Sequence, residues 1–185
     1  MKKLFLIACI GISFMACGDV EAPRWESLPQ EIYVEDGVIE KTNQDLSDLV
    51  QQGIDEMSKH FGSTFEVTDN QDAKIIAFCN NELLEDENIR AYAYVNWNQK
   101  SGLIYSGTIE VDCDADMPDS YYVYMIAHEM FHSLGFIDHY ENPDCLNSIT
   151  FTIKKTIEDQ ICDDMVDDFY DRYPEIEQEF YPVMK

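Results

Sequence analysis

The segment from His128 to Tyr140 (His-Glu-Met-Phe-His-Ser-Leu-Gly-Phe-Ile-Asp-His-Tyr) constrains this chain more than any other stretch. His128 and His132 are four residues apart, so on a helix both imidazoles leave one face about a turn apart. Two corners of a tetrahedral zinc site need that separation, because Zn–N bonds are only about 2.0–2.1 Å long. Glu129 points roughly 100° around the helix from His128, which makes it a poor third ligand. It is well placed to reach a water held by a metal. Two imidazoles and a carboxylate buried within one turn are costly without a shared partner, which argues against incidental polar residues on a core helix.

His-Glu-x-x-His on a helix is the zinc-peptidase pattern, with the glutamate as general base. Gly135 sits where a left-handed residue closes a helix, letting the chain turn back under the metal. Asp138, an oxygen ligand, and His139, a nitrogen ligand, follow. Either fills a third position and leaves the fourth to water, the open arrangement of a catalytic zinc. The chain has 4 histidines, and the remaining one, His60, reads as an exposed helix-end residue without a function. Pro118, with Asp119 or Ser120 as cap, opens the helix that carries His128. Its apolar residues Val123, Met125, Ile126, Met130, Phe131 and Leu134 run almost all the way round, as in a central, buried helix.

The run His128-Glu129-x-x-His132-x-x-Gly135-x-x-Asp138 resembles the extended motif of the metzincin metalloproteases, most of which end it on histidine. The Asp138-His139-Tyr140 ending resembles the snapalysins, small secreted metzincins in which the aspartate is the third ligand. The resemblance implies one catalytic zinc on His128, His132 and Asp138, with Glu129 as base and His139 as the competing third ligand. It also implies an α+β fold: a twisted mixed sheet of about five strands on two helices, one carrying the motif, plus a C-terminal helix. The implied activity is a zinc-dependent endopeptidase acting on protein or peptide substrates through a zinc-activated water. Metzincins place a methionine turn beneath the metal; Cys145 to Thr150 matches that segment, with Ile149 where methionine sits. Isoleucine supplies apolar volume there at modest cost. Two other readings stay open. One is a catalytically silent, metzincin-like surface lipoprotein acting as a binding module, against which the intact Glu129 argues. The other is a thermolysin-type metal hydrolase with Glu158 as third ligand.

Residues 1–16 read as a signal peptide: Met1-Lys2-Lys3, then the apolar run Leu4 to Ala16, too short to span a membrane. Phe14-Met15-Ala16-Cys17 resembles a bacterial lipobox, which implies lipidation of Cys17, a tether over 17–24 and a metzincin-like domain over 25–185. An ordinary signal peptide cut near Ala16 is the other reading. The lipobox implies export and anchoring to a bacterial membrane, at the outer membrane or cell surface; a monomer is expected. A formal charge of −25 argues against nucleic acid or anionic lipid headgroups as partners, and suits solubility outside the cell. Beyond Cys9 and Cys17, the cysteines Cys79, Cys113, Cys145 and Cys162 suggest two disulfides with three possible connectivities. The resemblance favours Cys145–Cys162, since snapalysins bridge the segment after the motif, and with it Cys79–Cys113 between two expected strands.

Along the chain, strands are expected over 31–35, 65–68, 73–79 and 90–97, with 103–113 as one bent strand. A first helix is expected from about Gln44, capped by Thr42 or Asn43, to His60 or Phe61, with Gly62 as its stop. A last helix is expected over 152–173, its acids forming a solvated face. Asp112, Asp114 and Asp116 alternate as in calcium loops, but the glycine at position six and glutamate at position twelve are missing, so the loop reads as solvated, with a calcium site as the weaker alternative.

Overall fold

The computed structural model describes residues 21–82, 90–148, 157 and 160–176. The expected signal segment 1–16, Cys17, Ile149, Glu158 and the tail past Ile176 lie outside the described residues. In chain order come β1 (Gln30–Val34), β2 (Val38–Ile39), β3 (Gln44–Asp45) and α1 (Leu46–Phe61). Then follow β4 (Phe65–Thr68), β5 (Ile75–Cys79), β6 (Ala91–Trp97), β7 (Ile104–Val111), α2 (Asp119–Ser133) and α3 (Asp163–Arg172).

The main sheet has the order β4-β1-β5-β7-β6; β2 and β3 form a separate two-stranded ladder. β4, β1, β5 and β7 run parallel, and β6 closes one edge antiparallel to β7. Buried Ile32, Ile75, Ala77, Ile109 and Val111 alternate with more exposed neighbours, so one face of the sheet carries the core. α1 and α2 pack together; α2 lies against β6 and β7, and α1 against β4 and β1. This mixed five-stranded sheet on two helices, with a C-terminal helix, is the α+β metzincin-like arrangement.

α1 buries Leu46, Leu49, Val50, Ile54, Met57 and Phe61 on one stripe, each such side chain contributing about 1.5–3 kcal/mol. Gly53 lets the two helices approach: a Cβ there would lie 3.3 Å from Ile126 Cγ2 and 3.5 Å from Met130 Sδ. α1 starts two residues later than its sequence suggests. Asn43 takes a positive φ of 56° and helps turn β2 into β3, so Asp45 becomes the N-cap residue, without a side-chain bond. In α2 every residue from Tyr122 to Phe131 is buried, as the all-round apolar pattern requires. Pro118 itself occupies the N-cap position, and no side chain caps that end.

α3 is shorter than the expected 152–173 helix. Described residues 157 and 160–162 are not α-helical, and Cys162 is extended at φ −83°, ψ 160°. The cause is tertiary: Cys162 bridges to Cys145, and the Leu146 N–H donates to the Gln160 carbonyl at 2.6 Å. Those contacts draw the segment away from a helical path. The second bridge, Cys79–Cys113, joins the end of β5 to the chain leaving β7. The acidic loop also differs from its sequence reading. Asp114 and Asp116 are exposed, but Asp112 is fully buried and accepts from Arg90 Nη1 at 3.0 Å. No helix among the described residues is long and apolar enough to cross a membrane.

Candidate metal centre

Helical spacing brings the first two histidines together, and the chain leaving α2 brings a third. His128 Nε2 lies 3.1 Å from His132 Nε2, which lies 3.1 Å from His139 Nε2. One nitrogen from each of the three falls within 4.8 Å of the others. This is metzincin-type geometry, a His-Glu-x-x-His helix with a third histidine from the following loop. Among the described residues it is the one group of histidine, cysteine and acidic side chains so placed.

The far sides of the first two rings decide what that closeness means. His128 Nδ1 lies 2.7 Å from the Leu146 carbonyl, and His132 Nδ1 lies 2.6 Å from the Phe136 carbonyl. A carbonyl only accepts, so each Nδ1 carries the proton and each Nε2 presents a bare lone pair. Two bare lone pairs facing at 3.1 Å repel unless a cation lies between them. Ligands about 2.05 Å from a tetrahedral ion sit roughly 3.3 Å apart, so the spacing fits a shared metal. Metal-ligating imidazoles commonly donate their other ring N–H to such a carbonyl, which holds the tautomer.

The electrostatics agree with the donor set. Burial, helped by the neighbouring His132, pushes the His128 pKa down to about 3. Burial likewise takes His132 to about 4, against the pull of the Phe136 carbonyl. His139 is also lowered by burial, with Asp138 opposing. Imidazole ligates only when neutral, and these rings are held neutral. Glu129 is buried beside them, and burial pushes its carboxyl up to about 8, while a hydrogen bond from the Ala93 backbone works the other way. Ala93 lies on β6, one of the two edge strands of the sheet.

Asp138 is exposed, and its carboxylate is not in the cluster; its backbone carbonyl instead accepts from Asn147 Nδ2 at 3.0 Å. The residues of the expected methionine turn that are described, Cys145 to Ser148, are buried and supply the Leu146 carbonyl to His128. Sequence reasoning missed the residues that fix the end of α2. Trp25 Nε1 donates to the Ser133 carbonyl at 2.8 Å, and Tyr173 donates to the Leu134 carbonyl at 2.6 Å. Tyr173 oxygen in turn accepts from the Trp25 N–H at 3.1 Å. Bulky aromatics in polar segments at both ends of the chain were the available signal. No protein-family model matches the chain, and a search of curated proteins finds no match.

Proposed function

We propose that this protein is a zinc-dependent endopeptidase, with His128, His132 and His139 holding the ion and Glu129 as general base. The observation that carries the reading is the 3.1 Å approach of two Nε2 atoms whose protons are committed to carbonyls on the other side of each ring. Zinc, when bound, supplies Lewis-acid polarisation of the scissile carbonyl and lowers the pKa of water. Glu129 takes the proton of the attacking water and delivers it to the leaving amine, work suited to a carboxyl whose pKa lies near neutrality. β6, the outermost strand, offers its edge to an extended peptide, and the Ala93 N–H beside Glu129 puts that edge next to the chemistry. In the same reading residues 1–16 are a signal peptide, Cys17 is the lipidated N-terminus and 25–185 form the monomeric peptidase domain. Two disulfides, Cys79–Cys113 and Cys145–Cys162, suit an exported chain.

Elemental analysis of the chain beginning at Gly18 tests the site without knowledge of a substrate. About one zinc per chain is expected from the donor set, retained in Asp138→Ala and lost in His132→Ala and His139→Ala. Loss in Asp138→Ala with retention in His139→Ala would transfer the third position to the carboxylate. No zinc after reconstitution would sink the enzyme reading. A peptide-library digest, with Glu129→Gln as control, then separates a peptidase from a silent binding module.

A further inference from the structure

Asp168 and Arg172 lie one turn apart on α3, and both reach the loop that carries His139. Arg172 Nη1 donates to the Gly135 carbonyl at 2.6 Å and to the Pro23 carbonyl at 3.3 Å. Its guanidinium lies 3.9 Å from the centroid of the Phe136 ring, a cation–π contact. Asp168 Oδ2 accepts the Tyr140 hydroxyl at 2.5 Å. While Asn147 holds the Asp138 carbonyl and the Tyr140 N–H from the opposite segment, α3 holds the loop on both sides of the third donor, at 135–136 and at Tyr140. Between them Ile137, Asp138 and His139 are exposed and belong to no helix or strand.

An exposed three-residue span of that kind samples many conformations unless contacts confine it, and ordering it costs conformational entropy. Contacts at its two ends confine the span that brings His139 to the other two imidazoles. We propose that Asp168 and Arg172 are positioning residues for His139, and that they set the affinity of the three-histidine site for a transition-metal ion through the path of loop 135–140. The proposal rests on His139 being a ligand. A general structural role is the competing explanation, and exposure separates the two. Asp168 is exposed and Arg172 only half-buried, whereas the nearby anchors Trp25 and Tyr173 are fully buried. Losing an exposed hydrogen bond changes fold stability little, whereas loosening a ligand loop changes metal affinity directly.

The test is zinc competition against a chromophoric chelator, with the cobalt(II) absorption spectrum and the urea midpoint of the chelator-stripped protein as parallel readouts. Asp168→Ala and Tyr140→Phe are expected to raise the zinc Kd about tenfold to a hundredfold and to weaken the tetrahedral cobalt bands, with the urea midpoint little changed. Tyr140→Phe keeps the ring and removes only the hydroxyl, so it serves even if the alanine variant folds poorly. In a His139→Ala background, Asp168→Ala should weaken zinc binding no further, as expected when one residue acts through the other. A Kd within twofold of the parent in Tyr140→Phe, with His139→Ala clearly weakened, overturns the positioning role and leaves the ligand assignment standing. Parent affinity in His139→Ala itself overturns both.

Discussion

The two ends of α2 are built on different terms. At its start Pro118 is the N-cap residue without a side-chain bond, and Asp114, Asp116, Ser120 and Tyr121 around it are exposed. At its finish the carbonyls of Ser133, Leu134 and Gly135 each accept from a distant side chain: Trp25, Tyr173 and Arg172. Every helix leaves its terminal backbone groups without intrahelical partners, and water satisfies them where it can reach. The end that carries His132 and leads to His139 is not left to water. Its carbonyls are fixed by groups from the N-terminal segment and α3, which sets the direction in which the chain leaves the helix. The contrast teaches that fixed contacts are concentrated at the end of α2 where the three histidines cluster.

Removing the base tests the chemistry of the fixed end and should have the largest effect. Glu129→Gln should lower peptide hydrolysis by roughly 10²–10⁴-fold while zinc stoichiometry stays at the parent value. Retained hydrolysis in that variant would remove Glu129 from the mechanism. Gly135→Ala attacks the geometry of the same end. Gly135 has φ 99°, and an added Cβ would run into the Pro23 carbonyl, with Ile104 Cδ1 also within 3.2 Å. Left-handed strain and overpacking together should cost about 2–5 kcal/mol by urea unfolding. Trp25→Phe should cost less, about 1–3 kcal/mol, because it strands the buried Ser133 carbonyl while keeping most of the ring volume.

The titrating groups near this end give it a pH signature of two opposed signs. His128 and His132 fall from 6.5 to about 3 and about 4 on folding, so below pH 6.5 the unfolded chain takes up protons first and stability falls as pH falls. Glu129 rises from 4.5 to about 8, so between those values the folded chain holds the extra proton and stability falls as pH rises. Each group contributes at most about 1.4 kcal/mol per pH unit within its window. For zinc-stripped protein, the stability of Glu129→Gln minus that of the parent should therefore grow from pH 4.5 to 8; a constant difference would contradict the burial assigned to Glu129. At the open end, Tyr121→Ser should change stability by less than about 0.5 kcal/mol. A larger loss there would erase the contrast between the two ends.

Much of the fold was legible because it is written in local periodicity. The α1 stripe, the strand alternation and the all-round apolar pattern of α2 each follow from which neighbours a helix or strand presents to the core. Starts and ends were less legible. α1 begins late because Asn43 is used in a turn, and α3 begins at Asp163 because a disulfide and a backbone hydrogen bond hold the chain before it extended. Asp112 read as solvated because its partner, Arg90, is 22 residues away.

By itself the sequence determined that His128 and His132 share one helical face with Glu129 between them in the chain, because a helix converts a spacing of four into one face without help from the rest of the chain. Which residue joins that pair was not local. Asp138 and His139 are adjacent in a loop, and the order of residues cannot say which one turns inward. Only the tertiary structure brought the His139 nitrogen to 3.1 Å from His132, in a loop contacted by Arg172 at Gly135 and Phe136, by Asn147 at Asp138 and by Asp168 at Tyr140, all distant in sequence.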